Sequence, residues 1–280
     1  MKPSPDIRAK LIHIGALPDG RLDLTETALT LASIERPGVP IEPYRRHLHR
    51  LVCDVGVYAG AGDHRRGGVE RRQEALGQVV AKRYGYGGAD DAYEDPDNAN
   101  FMRVIDRRRG LPVVLGVLYL HVARALGWSM SGLDFPARFL VRLQHESRRV
   151  ILDPFDGGRV LTPKGMRELT KAAAGNHAEL IPGHYAEMSN RDILLRVQGN
   201  VKSRLLRAER LEEALEVIET MLLFAPEAAA LWREAGLLYA RLDNVKAAVS
   251  ALEEYMRHNT GDSTRYRTSI LLQELRERLS

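Results

Sequence analysis

The stretch Gly110-Leu111-Pro112-Val113-Val114-Leu115-Gly116-Val117-Leu118-Tyr119-Leu120-His121-Val122-Ala123-Arg124-Ala125-Leu126-Gly127 decides the fold. Pro112 suits a first helical turn, where its missing N–H is not needed, and Gly127 suits a helix end. Between them, apolar residues cover nearly the whole circumference, from Val113 and Val114 through Leu118 and Leu120 to Ala125 and Leu126. A helix that is apolar all round is buried on every side, so this is the core helix of its domain. Downstream the pattern switches to period two. Phe139, Val141 and Leu143 alternate with Arg138, Leu140 and Arg142, and Arg149-Val150-Ile151-Leu152-Asp153 follows the polar Gln144-His145-Glu146-Ser147. That pattern predicts a β-hairpin, ended by Pro154 and Gly157-Gly158. A turn around His145-Glu146 sets Leu143 opposite Arg148, Val141 opposite Val150, Phe139 opposite Leu152 and Arg138 opposite Asp153. In that register apolar residues share one side, and Arg138 meets Asp153 as an ion pair on the other.

Upstream, Leu24 to Ala32 carries a helical stripe that stops at Arg36-Pro37-Gly38, and Tyr44, Leu48, Leu51 and Val52 mark a second helix. A third runs from Val69 to Tyr84 and is closed by Gly85. Residues 60–68 read as a glycine-rich loop, Asp90 to Asn98 as an acidic turn, and Phe101 to Arg108 as a short helix. Thr162-Pro163 starts a further helix, with Thr162 as its cap.

From Arg191 onward the sequence is helical and contains a repeat. Trp232, Ala235, Gly236, Tyr239, Ala248 and Leu252 fit the tetratricopeptide spacing. A shift of about 34 residues places Ala214 under Ala248 and Ile218 under Leu252, with the closing proline at Pro226. One repeat is complete and one partial, and Tyr266 to Leu279 would cap the open end. The expected organisation is residues 1–173 as a first domain, 174–190 as a linker and 191–280 as a repeat domain.

The composition, 44% apolar and 28% charged over 280 residues, is that of an ordinary globular chain. A net charge of +4, with arginines interspersed among acids, does not point to nucleic acid. The run Arg107-Arg108-Arg109 reads as a solvated helix end. No stretch reaches the ~20 apolar residues of a membrane span, and the N-terminus lacks an apolar signal core, so the expected location is the cytoplasm. Cys53, alone in the chain and set in the apolar run Leu51-Val52-Cys53-Asp54-Val55, is expected to be buried and inert. His177 and His184 lie in the linker without metal-ligand spacing, and no metal or cofactor is expected.

Several segments together resemble bacterial proteins of the SirB type, which join a transglutaminase-like domain to tetratricopeptide repeats. They are Ala28 to Ala32, Asp95-Pro96-Asp97-Asn98, Arg107 to Pro112, Leu118 to Gly127, Phe135 to Arg142 and Leu152-Asp153-Pro154-Phe155-Asp156-Gly157-Gly158. The resemblance implies an α+β, helix-rich, papain-like domain with a small antiparallel sheet, followed by an all-α repeat domain. In active transglutaminase-like enzymes a cysteine begins the core helix, where the helix N-terminus favours the thiolate; a histidine accepts its proton and an aspartate orients the histidine. The cysteine position falls here at Pro112 or Val113. The histidine of the family's Pro-Gly-His-Phe falls at Arg138, in Pro136-Ala137-Arg138-Phe139. An arginine cannot act as a base near neutral pH. Of the triad only Asp153 remains, so no cysteine-dependent chemistry is expected.

Two functions follow as expectations. One is a non-catalytic interaction or regulatory protein on a degraded scaffold, with Trp232 and Tyr239 as candidate repeat-surface residues for a protein partner. The other is an enzyme or ligand-binding protein that uses the remnant cleft around Asp153, Arg138 and His121. The repeats themselves either brace the first domain or bind a partner.

Overall fold

The structure, a computed structural model, describes residues 2–60, 68–88, 95–136, 138–259, 261 and 263–279. Residues 61–67 of the expected loop at 60–68 and the acids Asp90, Asp91 and Glu94 lie outside these residues. Along the chain come α1 (Pro5–Ala16), α2 (Leu24–Ile34), α3 (Glu42–Gly60) and α4 (Val69–Ala75), which continues into a π-helical segment, Leu76–Arg83. Then follow α5 (Phe101–Arg107), α6 (Pro112–Ala125), strands β1 (Ser129–Leu133), β2 (Leu140–His145), β3 (Arg148–Asp153) and β4 (Arg159–Leu161), and α7 (Pro163–Ala174). The chain ends in α8 (Asn190–Arg207), α9 (Leu211–Phe224), α10 (Ala229–Arg241), α11 (Val245–His258) and α12 (Ser263–Glu277). Contacts divide it into two compact units, residues 23–197 and residues 1–22 with 198–280, so the division falls inside α8. Among the described residues no helix is long and apolar enough to cross a membrane.

In the 23–197 unit α6 is the core helix, as its all-round apolar pattern requires: Pro112 through Leu120 are all buried. Gly116 leaves room for the ring of Phe139, which occupies the space a Cβ would need. The sheet is antiparallel in the order β1-β2-β3-β4. Its central hairpin is shifted by two residues from the expected register: Leu143 faces Val150 instead of Arg148, and Val141 faces Leu152 instead of Val150. The turn explains the shift. It is the two residues Glu146-Ser147, tight enough to set His145 opposite Arg148, with Glu146 at φ 53°. The shift matches Leu143 with an apolar partner and keeps each side chain on its expected face. The outer strands were not legible: β1 is small and polar (Ser129-Met130-Ser131-Gly132-Leu133), and β4 spans three residues.

Of residues 174–190, expected as a linker, the segment 186–188 pairs with the end of β1. The Asp134 N–H donates to the Ala186 carbonyl and the Met188 N–H to the Gly132 carbonyl, both at 2.9 Å. Leu180 and Tyr185 pack on the cluster of Leu133, Phe135, Leu140, Leu161 and Met166. Two apolar anchors are enough to dock a short connecting segment.

In the other unit the repeat register holds at its tight crossings: Ala214, Ile218, Ala248 and Leu252 are fully buried. Gly236 packs directly on Leu252, with no room for a methyl group between them. The final helix α12 closes the stack through Leu272 and Leu275. The N-terminal helix α1, capped by Ser4, joins this unit, and Gly15 lets its backbone approach the Leu223 carbonyl of α9. Residues 1–22, expected in the first domain, therefore pack with the repeats. A short helix separated in sequence from its partner leaves no periodic signal of where it docks.

Candidate functional site

Asp153 closes β3 and is fully buried, while the Arg138 side chain, just ahead of β2, keeps 28% of its surface exposed. A buried carboxylate needs donors, and this one has three. Arg138 Nη1 donates to Oδ2 at 2.8 Å, and the N–H groups of Phe155 and Asp156 donate to Oδ1 at 3.0 and 3.4 Å. The expected contact between Arg138 and Asp153 is thus present, through one nitrogen and in a different strand register. The guanidinium lies 4.7 Å from the centre of the Phe155 ring, a cation–π arrangement. That ring in turn fills the space beside Gly88, whose N–H donates to the Phe155 carbonyl at 2.9 Å. The turn after Asp153 is held by the Gly158 N–H on the Asp153 carbonyl at 2.8 Å, with Gly157 and Gly158 at positive φ. From α6, the Tyr119 hydroxyl abuts Gly158. Among the described residues it is buried without a hydrogen-bond partner, and burial, then the Asp153 charge, push its pKa up.

Val113, expected at the nucleophile position, is buried in the first turn of α6 and is aliphatic. His121 is not brought to Asp153. It lies about 200° around α6 from Tyr119 and pairs with Thr25 of α2, Nδ1 to Oγ1 at 3.1 Å. Burial holds its pKa down against the pull of Asp23 and Glu26. The expected cleft of His121, Arg138 and Asp153 is therefore two separate places, because both faces of a buried helix find partners.

In the repeat unit, Trp232 and Tyr239 line one groove of ≈ 630 Å³ together with Lys246, Ser250, Ala251 and Glu254. The indole is half-buried, not packed in the core, and its Nε1 donates to the Pro226 carbonyl at 2.7 Å. Tyr239 donates to Glu219.

Residues 42–199, more than half of the chain, match the transglutaminase-like superfamily, and residues 201–273 match a tetratricopeptide repeat. The chain belongs to the transglutaminase-like superfamily. It is 31% identical to a UPF0162 protein of Vibrio cholerae, over 86% of this chain and 88% of that protein. To a UPF0162 protein of Xylella fastidiosa it is 28% identical over 88% and 87%. To protein SirB1 of Salmonella typhimurium it is 28% identical over 66% and 70%. The SirB-type reading of the sequence thus stands, with a transglutaminase-like region ahead of helical repeats.

Three features of this transglutaminase-like chain escaped sequence reading. The arginine run is exposed at Arg107 and Arg109, as a solvated helix end requires, but it is also paired: Arg107 meets Asp95 at 2.6 Å and Asp97 at 3.1 Å, and Arg109 donates to the Gly85 carbonyl at 3.0 Å. Arg108, at φ 61°, donates to Tyr86 and, at 2.9 Å, to His47 Nε2. Arginine has no acceptor, so His47 Nε2 must be unprotonated there. Burial first, then the charges of Arg108 and Arg50, lower the His47 pKa to about 4. Second, Cys53 is exposed on α3, its Sγ 3.7 Å from His49 Nε2, because the buried stripe there is Leu48, Leu51 and Val55. Third, His184 of the former linker sits edge-on to Phe135, ring centres 5.7 Å apart. Among the described residues no group of three or more His, Cys, Asp or Glu is placed to hold a metal ion.

Proposed function

We propose that this chain is a cytoplasmic, non-catalytic interaction or regulatory protein that retains a transglutaminase-like scaffold without its chemistry. The observation that supports the reading most directly is the Arg138–Asp153 pair at 2.8 Å. A cation that cannot release its proton near neutral pH takes the place of the base, and the carboxylate that would orient a histidine is committed to it. Val113, buried and aliphatic, offers no nucleophile. Tetratricopeptide repeats generally mediate contacts between proteins, and residues 201–273 of this chain match such a repeat. The ligand-binding alternative draws on one observation, the Tyr119 hydroxyl near Asp153, buried and without a partner among the described residues, but it loses His121, which faces α2.

The test is affinity capture with the full chain from a lysate of its native host, followed by quantitative mass spectrometry. The reading expects a partner retained reproducibly and in near-stoichiometric amount. Recovery of no such partner over repeated captures would overturn it.

A further inference from the structure

We propose that the groove between α10 and α11 binds an extended segment of a partner protein in which a large apolar side chain stands beside an aspartate or glutamate. This rests on the interaction reading and gives it a place and a chemistry. The groove, at ≈ 630 Å³, is of the size that holds a small ligand or a few side chains. Its walls are aromatic. Trp232 and Tyr239 are seven positions apart on α10, hence on the same face about two turns apart. Their polar atoms are already committed within the unit, Nε1 to the Pro226 carbonyl and the hydroxyl to Glu219, so what they offer the groove is ring surface. The α11 side is small where an incoming side chain would enter, at Ser250 and Ala251.

Charge decides the rest. Glu254 is held by Arg257 and approached by His258 at 3.9 Å, and Glu253 is bound by Arg276 at 2.6 Å. Lys246 lines the same groove, is exposed, and makes no ion pair among the described residues. An unpaired ammonium beside aromatic surface favours a carboxylate and disfavours a basic segment. A single lysine supplies one point charge without the fork of an arginine, which fits one side-chain carboxylate.

The experiment uses the full chain immobilised and a positional library of hexapeptides, acetylated and amidated so that only side chains carry charge. Enrichment of an aromatic or branched apolar residue next to Asp or Glu is the expected result. Lys246→Glu should weaken the enriched peptides about tenfold and move the preference toward Lys or Arg. Ser250→Trp should block the groove and abolish the enrichment. Both substituted residues are exposed, and unchanged circular dichroism would establish that each variant folds. Enrichment that ignores both variants would overturn this site while leaving the interaction reading intact. Enrichment of basic peptides, or none at all, would overturn the proposal; a simultaneous failure of partner capture would bring down the reading beneath it.

Discussion

In the 23–197 unit Asp153 is fully buried and both of its carboxylate oxygens have donors, whereas in the repeat unit Trp232, Tyr239 and Lys246 face a groove of ≈ 630 Å³. The first region is closed upon itself: Arg138 answers Asp153, Phe155 lies under Arg138, and Gly88 accommodates Phe155. The second region commits the polar atoms of its aromatic residues internally and leaves ring faces and a cation available. The difference teaches where each unit puts its free energy. A closed polar set specifies structure and punishes removal of any member, while an open groove tolerates change and can accept a ligand.

The largest expected effect tests that closure. Arg138→Ala strands a buried carboxylate and should cost about 3–5 kcal/mol in urea unfolding. The control Arg278→Ala breaks a pair with Asp243 whose side chains are 53% and 84% exposed, and should cost less than about 1 kcal/mol. Equal losses would mean that Asp153 does not depend on Arg138.

A smaller effect sharpens the same contrast through pH. His47 titrates at about 4 in the fold, against about 6.5 when unfolded. The unfolded chain therefore binds the extra proton in this window, and the contribution is fully present above pH 6.5 and lost as pH falls toward 4. Burial lowers the His121 pKa in the same direction. The loss from His47 should reach about 1–3 kcal/mol, the lower values reflecting its partial exposure. Urea midpoints at pH 7 and pH 4.5 measure it, and His47→Gln should flatten the difference. An unchanged difference would remove His47 as a cause.

Smaller again is Trp232→Ala. A packed tryptophan would cost ~3–5 kcal/mol, but this half-buried one should cost about 1–2 kcal/mol. A loss at the upper value would mean that the indole is core and the groove is not open. Last, iodoacetamide should alkylate the native protein at Cys53 at the rate of an accessible thiol, with no change in stability. Protection until the chain unfolds would restore the buried reading.

Legibility followed burial. The core helix and the central hairpin were readable because α6 is apolar all round and β2 alternates, and the repeat crossings because Ala214, Ile218, Ala248 and Leu252 sit where only small or apolar side chains fit. The contact of Arg138 with Asp153 was found through the wrong register, since a shift of two residues preserves the face. Long arginine and tyrosine side chains hid the rest. Arg108, Tyr86 and His47 come from three separate segments, and nothing in the local sequence of any one names the other two. Cys53 misled for a different reason: an apolar neighbourhood in sequence does not say which side of a helix a residue occupies.

The claim that this transglutaminase-like chain has lost its chemistry is tested most directly by an amine-incorporation assay. The full chain is incubated at neutral pH with a glutamine-bearing acceptor protein and a fluorescent primary amine, beside an Asp153→Asn variant. The account predicts no incorporation above the protein-free blank for either. Incorporation by the native chain that disappears in the variant would contradict it, because Asp153 would then serve a reaction and not only hold Arg138.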